Sequence, residues 1–197
     1  MPRLLVFDTE TGGIDPDAHS LFDIGATVWE DGIATAEFQV FVAEPTLRLT
    51  LDAMAVNKID LEVHRGRAVP PAEALARFHA FVATQFEHEL AAGEKVVLVG
   101  HNVGFDVGFL KRLYRDCAGD FDAFYSHRTM DTAAIIRFLG LAGLLSLPGA
   151  GLEGALAYYK IEVPPEDRHT ALGDAKATAA LLSCLIATVS RNRAQQG

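Results

Sequence analysis

The chain predicts an α/β domain built on a mixed sheet, and three observations carry that expectation. The apolar run Leu4–Phe7 passes straight into Asp8-Thr9-Glu10-Thr11 and then turns on Gly12 and Gly13. This is the pattern of a buried strand ending in a tight loop. Asp31-Gly32 joins two segments of strand length, a strong hairpin signal. From Pro70 onward, short apolar runs alternate with stretches whose apolar residues recur every three or four positions, as strand–helix alternation requires.

Taken in order, Leu21–Trp29 and Ala34–Val42 are the hairpin strands. The second sets Ala36, Phe38, Val40 and Val42 on one face and Glu37 and Gln39 on the other, the period of two that a half-buried strand shows. Residues 51–63 read as helical in part. Pro70-Pro71 opens a helix whose stripe is Leu75, Phe78, Val82, Phe86 and Leu90, proline being favoured in a first turn. Val96–Val99 reads as a second buried strand before Gly100, with helices following over 104–117 and 131–139. The glycine- and leucine-rich segment 140–154 reads as a flexible loop or insertion, and 152–159 as a short helix. A closing helix carries Ala171, Ala175, Thr178, Leu182, Leu185 and Val189 on one stripe and ends in a polar tail over 190–197. No internal repeat or linker divides the 197 residues, so one domain, 1–197, is expected. In such sheets ligands gather at the carboxyl ends of the strands. That places Asp8, Glu10 and the segment after Val99 along one edge.

Composition narrows the setting. Half the residues are apolar and 22% charged, as in ordinary globular proteins. No apolar run approaches the ~20 residues of a membrane span, and the N-terminus lacks a signal-peptide layout. Cys117 and Cys184 stand far apart and read as thiols of a reducing compartment. A cytoplasmic location without a membrane partner is the expectation. The net charge of −9 disfavours a long basic groove for nucleic acid. Divalent cations on clustered acids would leave the chain acidic still, so any such contact is expected to be small and local.

Asp8 and Glu10 stand at i and i+2 on the first strand and therefore project to the same face. Two buried carboxylates side by side repel one another and resist desolvation. A hard divalent cation such as Mg²⁺ or Mn²⁺ resolves that conflict, and a solvated acidic turn is the alternative. In Gly100-His101-Asn102-Val103-Gly104-Phe105-Asp106, Asn102 or Gly104 suits a helix start. Asp106 then lies in the first turn, as a ligand or simply as an acid favouring the helix dipole. His169 and Asp174 are five residues apart, ~140° around one helix. They meet only if His169 precedes the helix, and Pro164-Pro165 just upstream favours a loop there.

Together, and in this order, the three segments resemble the three motifs of the DEDDh family of 3′–5′ exonucleases. Phe7-Asp8-Thr9-Glu10-Thr11-Gly12 looks like the first motif, His101-Asn102-x-x-Phe105-Asp106 like the second, and His169-x-Ala171-x-x-Asp174-Ala175 like the third. The resemblance spans Leu4 to Val189. Residues 55–60 and Met130-Asp131-Thr132-Ala133 are further similar to stretches of ribonuclease T, a member of the family, as is the proofreading epsilon subunit of bacterial DNA polymerase III. The resemblance implies a ribonuclease H-like fold, a mixed β-sheet flanked by α-helices. It also implies metal-dependent hydrolysis at the 3′ ends of single-stranded DNA or RNA.

By the same resemblance two divalent ions, Mg²⁺ or Mn²⁺, are held by Asp8, Glu10, Asp106 and Asp174. Asp8 bridges them, and His169 is the general base. Backbone groups of Thr9, Thr11 and Gly12 are candidates to grip the terminal nucleotide. Val56 and Asn57 stand at base-wedging positions, and Phe105 either stacks on a base or packs in the core. Ile14 and Val56 stand where ribonuclease T carries phenylalanines. Arg65, Arg67, Lys111, Arg112 and Arg115 are phosphate contacts or a solvated charged face, and His101 is a hydrogen-bonded structural residue. The alternatives are an accessory or proofreading subunit docked on a polymerase, and a hydrolase of very short oligonucleotides. A homodimer is compatible with all three. The short tail after Val189 leaves polymerase association possible but not favoured.

Overall fold

A computed structural model describes residues 3–57 and 61–195. Its sheet contains β1 (Leu4–Thr11), β2 (Leu21–Glu30), β3 (Ile33–Phe41), β4 (Leu98–Gly100) and β5 (Met130–Asp131), in the order β3-β2-β1-β4-β5. The β1–β2 and β2–β3 pairs are antiparallel, whereas β1–β4 and β4–β5 are parallel. The sheet is therefore mixed, as the pattern of elements requires. β1 lies at its centre because its apolar run is buried on both faces. Leu5 and Phe7 enter one core cluster, Leu4 and Val6 another.

The helices are α1 (Leu51–Asn57), α2 (Leu61–Arg67), α3 (Pro71–Gln85), α4 (Glu87–Ala91), α5 (Gly104–Asp116), α6 (Phe121–Phe124), α7 (Thr132–Leu141), α8 (Leu152–Tyr159) and α9 (Ala171–Gln195). Phe78 and Val82 of α3 and Phe109, Leu110 and Leu113 of α5 fill the core on the Leu5–Phe7 face. Ala179 and Leu182 of α9 cover the Leu4–Val6 face. α7 and α8 complete a third cluster against Leu181 and Leu185. The indole N–H of Trp29 donates to Ser183 Oγ at 2.8 Å, tying β2 to α9 across the layers. By length and composition α9 would suffice to cross a membrane, a test that its many alanines let it pass. Here half of its apolar window is buried against the sheet and its neighbours.

Four elements differ from the sequence pattern. The stripe running to Leu90 belongs to two helices, because Phe86 leaves helical geometry at φ −117°. Its ring is buried and sits under the Arg3 guanidinium. β5 and α6 are too short to carry a period of their own. Segment 140–154 is anchored rather than loose: α7 extends into it, and Leu145 is buried between α7 and α9.

Candidate active site

β1 presents Asp8 and Glu10 on one side of the sheet, and the first turn of α9 brings Asp174 to meet them. Carboxylate oxygens of these three residues all lie within 4.8 Å of one another. No lysine or arginine pairs with them among the described residues. The electrostatic consequence is large. Burial, then the charges of Asp106, Asp174, Glu10 and Asp23, push Asp8 well above the carboxylate range. Burial, then Asp174, Asp23 and Asp106, push Glu10 up to about 9. Asp174 is also raised, by burial first, with the Glu153 charge adding to the shift and the His169 charge opposing it.

Asp106 arrives from the other layer. The turn after β4 passes through Asn102 at φ +61°, and the Asn102 N–H donates to Asp131 Oδ1 at 3.0 Å. α5 then starts with Asp106 in its first turn, 2% exposed. Its Oδ1 accepts the Thr9 N–H at 2.9 Å and the Thr9 hydroxyl at 2.6 Å. Burial raises Asp106 to about 7, against the lowering effect of those two bonds. Asp106 thus grips β1 between Asp8 and Glu10, and stands beside the group of three rather than within it.

These shifts have a direct thermodynamic sign. A carboxylate whose folded pKa is raised binds more protons folded than unfolded, so stability falls as pH rises from the unfolded value through the folded one. Without divalent metal, the melting temperature is therefore expected to fall from pH 5 to pH 9, the window set by Asp106 near 7 and Glu10 near 9. Saturating Mg²⁺ or Mn²⁺ should flatten that slope. A melting temperature independent of pH in EDTA would contradict it.

His169 occupies the turn before α9, at φ +58°. Because the helix begins at Ala171, the ~140° separation expected on a continuous helix does not apply. His169 and Asp174 line one cavity of about 490 Å³ together with Glu153, Leu156, Val163 and Arg168.

The nucleotide-contact residues divide. The Thr9 N–H is taken by Asp106 and is not offered to a ligand. Gly12 is likewise engaged internally: its N–H donates to the Ser20 carbonyl and its carbonyl accepts the Thr50 N–H, each at 2.7 Å. A Cβ at Gly12 would lie 2.2 Å from the Arg48 carbonyl oxygen. Close packing of the chain alone already requires glycine there. Thr11 and Phe105 do share a cavity, of about 360 Å³, with Ile14, Thr50 and Asp52. Ile14 is 85% exposed. The ring of Phe105 packs on Phe109 at 5.1 Å and remains 37% exposed. The side chains of Val56 and Asn57, and all of 58–60, lie outside the described residues.

Most of the basic candidates are already engaged. Arg112 is buried and ion-paired with Glu44, Arg115 pairs with Asp17 and Asp116, and Arg67 stacks over Phe41. His101 Nδ1 lies 2.9 Å from Thr132 Oγ1, a structural contact as expected. Two acids lie outside the three motifs, Asp131 and Asp23. Burial pushes Asp23 up to about 6. Its signal was available: a lone acid in the apolar run Leu21-Phe22-Asp23-Ile24 is a buried polar group that needs an explanation.

A five-strand mixed sheet flanked by helices, with carboxylates gathered at the carboxyl end of its central strand, is the ribonuclease H-like architecture. The chain belongs to the exonuclease family described by the RNase T model, which matches residues 5–182. Ribonuclease T of Shewanella sp. (strain W3-18-1) is 28% identical over 188 residues, covering 92% of this chain and 80% of that protein. The PolC-type DNA polymerase III of Clostridium perfringens is 29% identical over 178 residues, covering 90% of this chain and 11% of the polymerase. A DNA polymerase III subunit epsilon-like protein of Rhodobacter capsulatus is 32% identical over 178 residues, 89% of this chain and 22% of that one. In structure, the chain is similar to E. coli exonuclease I solved with single-stranded DNA. The TM-score is 0.79 at 17% identity, over 97% of this chain and 42% of the other. The chain thus spans about a tenth of the polymerase and under half of exonuclease I.

Proposed function

We propose that the protein is a metal-dependent 3′–5′ exonuclease acting on single-stranded DNA or RNA, with His169 as general base. The observation that carries this reading is the meeting of the Asp8, Glu10 and Asp174 carboxylates within 4.8 Å. One buried and two half-buried acids with no pairing lysine or arginine among the described residues are unfavourable as they stand and fit a hard divalent cation with oxygen ligands. The family normally works with divalent metals. Asp8, Glu10 and Asp174 would hold one ion, and Asp8 with Asp106 a second. Bound there, Mg²⁺ or Mn²⁺ would acidify a water and relieve charge on the phosphate.

The protein's own residues do the rest. Asp106, through Thr9, fixes the strand from which Asp8 and Glu10 project. His169, which lines one cavity with Asp174, accepts the proton of the attacking water, a task typically worth ~10²–10⁴ in rate. The cavity bounded by Thr11, Ile14 and Phe105 has the apolar walls and exposed aromatic that suit a terminal base.

The test is digestion of 3′-labelled single-stranded DNA, RNA and dinucleotides in parallel, with Mn²⁺ and with EDTA. Stepwise shortening from the 3′ end, abolished by EDTA and restored by metal, is expected. Preferential loss of dinucleotides would favour the short-oligonucleotide alternative. For the base cavity, Phe105→Ala is expected to weaken substrate binding by about 1–3 kcal/mol, the contribution of one stacked base, seen as a raised KM. A fall in melting temperature with KM unchanged would assign Phe105 to the core alone. The matches to polymerase-associated proteins favour a second reading, proofreading in company with a polymerase. Stable recovery of a polymerase in a pull-down would support it.

A further inference from the structure

Asp174 reaches the site on a different element from Asp8 and Glu10, so the first turn of α9 must be seated on the sheet in a fixed place. The residues that seat it lie on β2. Asp23 is directly opposite Glu10 in the β1–β2 register and is 3% exposed, although carboxylates are rarely buried without a task. Gln39 of β3 donates its amide N–H to Asp23 Oδ2 at 2.6 Å. From the other side, the Ala171 N–H faces the same carboxylate and favours its charged form. That contact is looser than a full hydrogen bond, since Oδ1 has no bonding partner among the described residues.

The Ala171 N–H needs such an acceptor. The opening N–H groups of a helix have no partner within it, and Thr170 Oγ1 takes only that of Gly173, at 3.0 Å. Two residues along β2, on the same face as Asp23, stands Gly25. A Cβ there would lie 2.0 Å from the Leu172 nitrogen and 2.1 Å from the Ala171 carbonyl carbon. The backbone of α9 therefore rests directly on β2, in a space that only glycine leaves open. Ala171 and Leu172 stand between His169 on one side and Asp174 on the other.

We propose that Asp23 and Gly25 form a socket on β2 that seats the first turn of α9, making Asp23 a positioning residue for both His169 and Asp174. This rests on the metal-dependent reading above. Asp23→Ala is expected to lower kcat on the order of 10²-fold, as a displacement near 1 Å of catalytic groups does, with KM for the oligonucleotide nearly unchanged. Asp23→Asn keeps an acceptor oxygen for Ala171, and Gln39 can turn its amide to suit, so kcat should recover to within about tenfold of wild type. Gly25→Ala, which pushes α9 off the strand, should reproduce the loss.

The experiment is steady-state kinetics on a 3′-labelled single-stranded oligonucleotide with Mn²⁺ across a pH series, for wild type and the three variants. Melting curves and Mn²⁺ binding in the absence of substrate accompany it. A structural role alone would lower the melting temperature and leave kcat intact. The socket predicts a lower kcat and weaker Mn²⁺ binding. A folded Asp23→Ala with wild-type kcat overturns the inference. If that variant fails to fold, a folded Gly25→Ala with wild-type kcat overturns it instead. Absence of Mn²⁺-dependent cleavage by the wild type would overturn the exonuclease reading itself, a separate result.

Discussion

Asp8→Asn is expected to abolish turnover, by on the order of 10³-fold or more, and at the same time to raise the melting temperature of the metal-free protein. Both effects have one cause. Asp8 is half-buried and faces the charges of Asp106, Asp174, Glu10 and Asp23. Neutralising it removes one of the mutually repelling charges of the cluster, which relieves the metal-free fold. On the two-metal reading the same change would take away a carboxylate that both cations would share, and such metal-ion catalysis lowers the barrier by several kcal/mol. Melting curves at pH 8 with and without Mn²⁺, beside turnover on a labelled oligonucleotide, measure both arms. Wild-type turnover in Asp8→Asn would sink the metal reading. A lower melting temperature without metal would contradict the electrostatic account.

Removal of His169 is expected to have the second-largest effect, a ~10²–10⁴-fold fall in rate with folding and metal binding retained. The choice of substitution matters. His169 lies at φ +58°, where a Cβ-bearing residue is strained and asparagine is tolerated better than alanine. His169→Asn therefore removes the base with the least disturbance of the turn, and His169→Ala adds a local backbone cost. If the rate falls equally in both, with Mn²⁺-induced thermal stabilisation unchanged, the lost function is proton transfer. Near-normal turnover in His169→Asn would exclude His169 as the base.

Much of this was legible in the sequence, for reasons that differ by residue. Asp8 and Glu10 were readable because a strand's period of two puts i and i+2 on one side, a rule that needs no tertiary information. His169 was readable because ~140° of separation on a helix could be avoided only by a loop. The hairpin at Asp31-Gly32 announced itself locally, and both residues there do take positive φ. What was hidden depends on distant partners or on very short elements. Arg112 looked like one of several solvated cations, and its burial follows from Glu44, 68 residues away. Thr9 and Gly12 looked available to a ligand until their partners, Asp106, Ser20 and Thr50, were in place. Phe86 continues the helical stripe in sequence and breaks the helix in space. Asp23 carries no motif of its own, and its role exists only through α9.

The last element of the domain to leave a ribosome is also the one that completes its cage. Thr9 and Asp106 meet across 97 residues, and Trp29 and Ser183 across 154. Contacts of such separation close slowly, because the loop entropy must be overcome before they yield any stability. A nascent chain that has reached α8 carries Asp8, Glu10 and Asp106 but lacks both Asp174 and the helix that buries the Leu4–Val6 face. It can neither assemble the acid group nor present His169. On the reading proposed above, in which Asp174 and His169 take part in catalysis, nuclease competence would arise only once α9 has been made and docked.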